Sequence, residues 1–226
     1  MSVPEADDYG LDVDRILPPE SPWAALRRRI GGRYPIDPFG LDPQLSDLST
    51  PLVSALVRVE ATGDEHVPHE GGAVFVANRG FGIVEPAAVA VAVRRASGRR
   101  LRVIGAPSAP FLGGFFRRLG AISASPRDLA TCVRAGHLVA VPLAPTWLRT
   151  GAGTPPLPLV QAMTRAPAIP VAVTPGGPLG LAIRPWRVRF GAPVALDQPH
   201  DPGDPLAAAR LAEAVQAAVR QLLLLT

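Results

Sequence analysis

Lysine is absent from the 226 residues, so each of the 23 basic side chains is an arginine. Every positive charge is therefore a guanidinium, ionised at neutral pH, able to grip an anion in two places and unable to act as a proton acceptor. Cysteine occurs once, at Cys132 in the helical pattern "DLATCVRAG", which excludes an internal disulfide and a metal cluster and suits a small core residue. Aromatic residues make up only 5%, so a core drawn from the 47% of hydrophobic residues must be built from Ala, Val, Leu and Ile. With few aromatics for base stacking and no helix-turn-helix or RNA-binding motif, nucleic acid is a poor partner. No basic-then-apolar leader opens the chain. The uncharged stretch Ala166 to Ile183 has about the length of a membrane span, but Pro167, Pro170, Pro175, Gly176, Gly177 and Pro178 break it. The expectation is a cytoplasmic protein, at most peripheral at the inner face of the cell membrane.

The charges that are present are unevenly placed. The first twenty residues hold six acids against Arg15, whereas Arg94 to Arg134 holds nine arginines against Asp128 alone. Nine against one excludes pairing within that segment and points to an anionic partner: a phosphate ester, coenzyme A or an acidic lipid headgroup. Residues 1–20 read as an acidic, disordered lead. Residues 21–57 read as an N-terminal helical segment. It opens with "SPWAALRRRIGG", where Ser21 caps, Pro22 starts and Gly31 ends a helix. Trp23, Leu26 and Ile30 share a face beside Arg27–Arg29, which suits either acidic lipid or packing on the main domain.

Residues 58–226 alternate strands and helices. "VRVEATG", "AVFVAN", "RLRVIGA", "AISA", "HLVAVPL", "AIPVAVTP" and "WRVRFGAPV" read as strands. Helices are expected from Pro86 to Gly98, over "FLGGFFRRLG", from Pro126 after the cap Ser125, over "LVQAMTRA", and through the closing "DPLAAARLAEAVQAAVRQLLLL". On that last helix Leu206, Ala209, Leu211, Val215, Val219 and Leu222 are expected near one face. Short connections between alternating elements imply an α/β fold, a single mixed, largely parallel sheet flanked by helices.

In order and spacing these pieces resemble the lysophosphatidate and glycerol-3-phosphate acyltransferase superfamily. The resemblance rests on "RYPIDPFGLDPQL" (Arg33 to Leu45), "RVEATGDEHVPHEGGAVFVAN" (Arg58 to Asn78), "FLGGFFRRLGAI" (Phe111 to Ile122), Val133 to Pro142, "PAIPVAV" (Pro167 to Val173) and "WRVRFGAPV" (Trp186 to Val194). It is collinear over roughly residues 33 to 224. It implies the acyltransferase-like α/β fold, no bound cofactor or metal, and acyl-CoA or acyl-carrier protein as acyl donor. In active members a His follows the Asn that ends the strand, with an Asp a few residues on; the His is the general base and the Asp orients it. Here the His position is Arg79, and the Asp position falls at Val84, or at Glu85 with a loop one residue longer. The family's Pro-Glu-Gly stretch reads Pro142, Leu143, Ala144, and Arg149 lies three positions beyond where its arginine would fall. The chain thus resembles a degenerate member.

Three readings follow. In the first the protein binds an acyl chain, acyl-CoA or phospholipid without catalysis. Arg79 and Glu85 then stand as an ion pair where the family has its catalytic pair, and Asn78, Arg117, Arg118 and Arg149 line the binding site. In the second it is an active glycerophospholipid O-acyltransferase in which Glu85 is the base, its pKa raised by desolvation, and Arg79 stabilises the developing negative charge. In the third it is a scaffold or regulator of another lipid enzyme. The remaining histidines do not supply a base: His66 and His69 fall in a polar turn, His137 at a strand start as a cap or surface residue, and His200 in a surface loop. Ser108 and Ser123 lack the G-x-S-x-G elbow of a nucleophilic serine.

Overall fold

A computed structural model describes residues 27, 36–78, 84–104, 110–122, 125–143, 166–175, 185–194 and 204–225. The order of elements is α1 (Pro43–Leu56), β1 (Val59–Thr62), a 3-10 turn (Asp64–His66), β2 (Ala73–Ala77), α2 (Val84–Ser97), β3 (Leu101–Ile104), α3 (Pro110–Arg118), β4 (Ala121–Ile122), α4 (Pro126–Arg134), β5 (Leu138–Pro142), β6 (Ala168–Thr174), β7 (Trp186–Phe190) and α5 (Pro205–Leu224). The acidic lead, the helix expected from Ser21 and the helix expected over "LVQAMTRA" lie outside the described residues, apart from Arg27, which is helical, and Ala166, which is not.

The strands form one seven-stranded sheet in the order β1-β7-β6-β2-β5-β3-β4. From β6 to β4 all neighbours are parallel, β7 runs antiparallel to β6, and β1 is parallel to β7. The expected mixed, largely parallel sheet is borne out. Strand alternation divides the core between two faces. Ala73 and Phe75 of β2, Leu138 and Ala140 of β5 and Ile169 and Val171 of β6 face the cluster under α2. Val74 and Val76, with Val139 and Val141, face the opposite cluster, which holds Leu129 and Cys132 of α4 and Leu211, Val215 and Val219 of α5. Cys132 is the buried core residue that its helical pattern implied.

Local signals explain most boundaries. Asp42 caps α1 by accepting from Leu45 N, Ser125 caps α4 by accepting from Asp128 N, and Asp204 caps α5 by accepting from Leu206 N; each helix has proline in its first turn. Helix α2 closes at Gly98, whose φ of 74° favours glycine. Two expectations shift. Helix α2 begins at Val84, not Pro86, so Glu85 lies inside its first turn. On α5 the buried stripe is Ala207, Leu211, Val215 and Val219, spaced by four, while Leu206 is 58% exposed and Ala209 also faces solvent.

Helix α1 is a weak helix by sequence. "PQLSDLSTPLVSAL" carries two Ser and a Thr before Pro51, which removes a backbone donor from its interior. Tertiary ionic contacts hold it instead. Asp47 accepts from Arg94 Nη2 at 2.7 Å and from Arg100 Nη2 at 2.9 Å, and Arg94 Nη1 reaches Thr50 Oγ1 at 3.1 Å. Just upstream, Asp37 accepts from Leu41 N at 2.7 Å and Phe39 N at 3.0 Å through Oδ1, and pairs through Oδ2 with Arg102. Both side chains of that pair are fully buried, and Arg102 points from β3 to the face opposite α2.

These contacts correct the reading of the arginine run. Nine arginines against one acid did exclude pairing inside the segment, but the partners come from residues 37 and 47 of the N-terminal segment. Arg94, Arg100 and Arg102 bind these acids. Arg95 donates to Val59 O, and Arg99 donates to Pro68 O, Gly71 O and Gly136 O. Arg117 Nε donates to Gly113 O at 3.3 Å as well, so at least six of the nine are fastened to the protein itself. Arg117, Arg118, Arg127 and Arg134 are exposed.

Candidate functional site

Strand β2 occupies the middle of the parallel block. Its chain leaves through α2 toward β3, on the far side of β5, whereas the chain leaving β5 arrives in β6, on the far side of β2. Adjacent strands whose exits diverge leave a crevice beyond their carboxyl ends, the position where open α/β sheets bind ligands. Ala77, Pro142 and Leu143 border that end, with Leu143 N donating to Ala77 O at 2.8 Å. The rim is apolar on both central strands.

Asn78 follows β2 directly. Its N–H donates to Val171 O at 3.2 Å, its Nδ2 donates to Val173 O at 2.9 Å, and its Oδ1 accepts from Val173 N at 2.6 Å. The carboxamide copies a peptide group and extends the β2–β6 ladder by one step. Asn78 therefore shapes the crevice by fixing two strand ends, and both of its polar ends are engaged with backbone.

Glu85 is placed by helix periodicity. With Ala88, Val89 and Ala92 it forms the i, i+3, i+4, i+7 stripe through which α2 packs on the sheet, and all four are buried. The carboxyl thus enters the sheet-facing stripe at the end of the helix that follows β2. Glu85 is 7% exposed, and its Oε1 has no hydrogen-bond partner among the described residues. Burial pushes its pKa from 4.5 up to about 7.

The other expected site residues divide. Arg79 and Arg149 lie outside the described residues. Arg117 and Arg118 lie in the last turn of α3, where the chain returns to the start of β4. Strand β4 is three places from β2 in the sheet, roughly 14 Å at usual strand spacing. These two arginines are at the amino end of a parallel strand, Asn78 and Glu85 at carboxyl ends, and the fold does not bring the four together. Leu143, where the resemblance places a glutamate, is half-buried on the rim. His137 is a correction: it is buried, with its ring edge-on to Phe39 at 5.5 Å between centroids, and belongs to the packing under residues 36–42. His69 is exposed and His66 half-buried, while His200, Ser108 and Ser123 lie outside the described residues.

Besides Nε and Nη1 of the buried Arg102, which have no partner among the described residues, two further such atoms escaped the sequence reading. Thr174 Oγ1, at the carboxyl end of β6, and Trp186 Nε1, at the neighbouring start of β7, are buried without partners among the described residues. A threonine ending an otherwise apolar strand was the available signal for the first. Among the described residues no group of three or more His, Cys, Asp or Glu is arranged to hold a metal ion, and no helix is long and apolar enough to cross a membrane.

No protein-family model matches the chain. Among curated proteins it is 27% identical over 255 aligned positions to the uncharacterized proteins Rv0502 of Mycobacterium tuberculosis and Mb0514 of Mycobacterium bovis, covering 88% of this chain and 71% of each relative. The uncharacterized protein ML2427 of Mycobacterium leprae is 32% identical over 128 positions, covering 51% of this chain and 35% of its own length. Among solved structures, the 1-acyl-sn-glycerophosphate acyltransferase PlsC from Thermotoga maritima superposes with a TM-score of 0.51 at 14% identity, covering 79% of this chain and 78% of that one. The chain therefore has the acyltransferase-like α/β fold that its motif order implied.

Proposed function

We propose that the protein is an acyltransferase-superfamily member of phospholipid or envelope-lipid metabolism, and that it binds an acyl chain, acyl-CoA or phospholipid in the crevice beyond β2, β5 and β6. The observation that carries this reading is the pairing of an acyltransferase-like sheet with an apolar rim, on which Leu143 stands where the resemblance places a glutamate. An apolar rim suits an alkyl chain. Arg79, in the position of the family's base, cannot take a proton from an acceptor hydroxyl at neutral pH.

One observation favours a second reading, in which the protein transfers the acyl group. Glu85 is desolvated, unpartnered at Oε1 among the described residues, and titrates near neutrality. A carboxylate with a pKa of about 7 is a stronger base than an ordinary one and is still half ionised at pH 7. It would accept the proton of an acceptor hydroxyl as that oxygen attacks the acyl carbonyl, and the thiolate of the donor would leave.

The test is made on the full chain with palmitoyl-CoA, in two arms. Saturable binding at one site without release of free thiol, with lysophosphatidate, glycerol 3-phosphate or lysophosphatidylinositol as acceptor, is the result expected for the first reading. Thiol release that depends on acceptor and is abolished in Glu85→Gln overturns it in favour of the second. Absence of both binding and turnover sinks the two together.

A further inference from the structure

Helix α5 packs on β2 and β6 through Leu211, Val215 and Val219, and its opposite side faces solvent. Leu206, Arg210, Glu213, Ala217, Arg220 and Leu224 are exposed there, separated alternately by four and three residues. That seven-residue repeat is the spacing of a seam between two paired helices. A solvated face needs only polar groups, whereas this seam carries leucine at both ends and alanine near its middle. Leu206 is 58% exposed, Leu224 87%, and Leu225 in the carboxyl cap 64%.

The charged residues of α5, Arg210, Glu213 and Arg220, all lie on this seam, and their order is self-complementary. At about 100° per residue, Glu213 and Arg220 occupy one flank of it, and Arg210, Ala214 and Gln221 the other. A two-fold axis perpendicular to the helices sets each flank against its own copy. With Ala214 opposite the partner's Ala217, Glu213 comes within two residues' rise, about 3 Å along the axis, of the partner's Arg220. Symmetry forms that pair twice. The same register sets Leu206 opposite the partner's Leu225 and Arg210 opposite the partner's Gln221. Alanine at 214 and 217 lets the two backbones approach closely where the helices meet. Arg220 Nη2 donates to Gln216 Oε1 at 3.3 Å, one turn back, which already lays the guanidinium along the helix.

We propose that the outward face of α5 pairs antiparallel with the same face of a second copy of this chain. Parallel pairing fits less well, because it sets Glu213 on Glu213 and each arginine on itself. A partner of one charge sign fits less well too, since Glu213 stands between the two arginines. The carboxyl end of α5 lies near the amino end of β6, where Leu222 and Pro170 both close on Gly191. Antiparallel pairing therefore directs the two crevices to opposite ends of the dimer. The proposal does not rest on what occupies them.

The experiment is analytical ultracentrifugation of the full chain across concentrations up to about 100 μM. The wild type is expected to form a dimer within that range. Glu213→Arg and Arg220→Glu should each weaken it by roughly tenfold or more, because each reversal sets like charges together. An equimolar mixture of the two variants restores both ion pairs and should recover the dimer to within about threefold of wild type. Leu206→Gln combined with Leu225→Gln should weaken it by roughly tenfold. Glu213→Gln, a smaller change at an exposed position, gives a smaller loss in the same direction and guards against misfolding of the reversals. Three results overturn the proposal. One is a wild type that sediments as monomer throughout. Another is a dimer that the α5 variants leave unchanged, including the case in which only Leu52→Gln on α1 weakens it. The third is a mixture of the two charge reversals that stays as monomeric as either alone.

Discussion

The edge of the sheet near β3 and the crevice end of β2 treat charge in opposite ways. At the edge, Asp37 faces Arg102, and Asp47 faces Arg94 and Arg100. At the crevice, Glu85 is 7% exposed, less than the Asp47 side chain at 24%, yet its Oε1 has no partner among the described residues. A buried ion whose partner is already in place is architecture: it fixes which segment lies where. A buried ionisable group without a partner destabilises its charged form, and such groups concentrate where a protein binds or reacts. The contrast separates acids and arginines that locate residues 36–56 from the acid to which the proposed acyl transfer would assign chemistry.

The sharpest way to break the edge is to remove Asp37. Asp37→Ala strands Arg102 in a fully buried position and also frees the N–H groups of Phe39 and Leu41. A loss of about 3–5 kcal/mol is expected, read from urea unfolding of the full chain. Asp37→Leu combined with Arg102→Met should recover much of it, because removing both charges also removes their desolvation cost. A single variant indistinguishable from wild type would mean that the pair is not an architectural lock.

Asp47→Ala comes next. It leaves Arg94 and Arg100 without their shared carboxylate, and the Arg100 side chain is only 3% exposed. A loss of about 2–3 kcal/mol is expected, somewhat below that for Asp37 because Asp47 is itself partly hydrated. Since α1 contains Pro51 and is otherwise a poor helix former, hydrogen exchange in residues 43–56 should rise before that of β2. Uniform loosening of the whole chain would instead make α1 part of the main folding unit.

At the crevice, Asn78→Ala removes two hydrogen bonds to Val173 and leaves its buried N–H and C=O exposed to a poorer set of partners. The expected loss is about 2 kcal/mol, smaller than at the ionic edge, with any ligand binding weakened because the ends of β2 and β6 separate. Asn78→Asp tests the geometry: its carboxylate still accepts from Val173 N but cannot donate to Val173 O.

Strand alternation, proline at helix starts and glycine at helix ends made the sheet and its helices legible in the chain. The misreadings share a physical cause, since sequence periodicity reports which side of an element is apolar, not what lies against it. Leu206 belongs to the apolar set of α5, but the helix turns Ala207 and Leu211 to the sheet. His137 read as a cap, yet Phe39 covers it from a segment nearly a hundred residues upstream. Arg102 looked like one member of a cationic run until Asp37 was placed beside it. Glu85 read as a loop residue because Pro86 marks a helix start so strongly. Extending the stripe of Ala88, Val89 and Ala92 back by one turn would have placed it inside the helix and facing the sheet.

The smallest effect expected is also the one that bears most directly on the proposed function. The Glu85 carboxyl titrates at 4.5 when exposed and at about 7 in the folded chain. Below pH 4.5 folded and unfolded states both hold the proton, so the group contributes nothing to the pH dependence. Between pH 4.5 and 7 the unfolded chain releases it while the folded chain keeps it, so stability falls as pH rises, and above 7 the full cost is present. Glu85→Gln should therefore match the wild type near pH 4.5 and exceed it at pH 8 by roughly 1–2 kcal/mol, less than the whole shift would give because only Oε1 is buried without a partner, read as a displaced urea midpoint. A bound acyl ligand that accepts a hydrogen bond from the protonated carboxyl would shift the window upward, whereas an acceptor hydroxyl that needs the carboxylate would shift it downward. Identical pH profiles for wild type and Glu85→Gln would place Glu85 in water, and the crevice would then hold no buried acid to set against the paired charges at the edge.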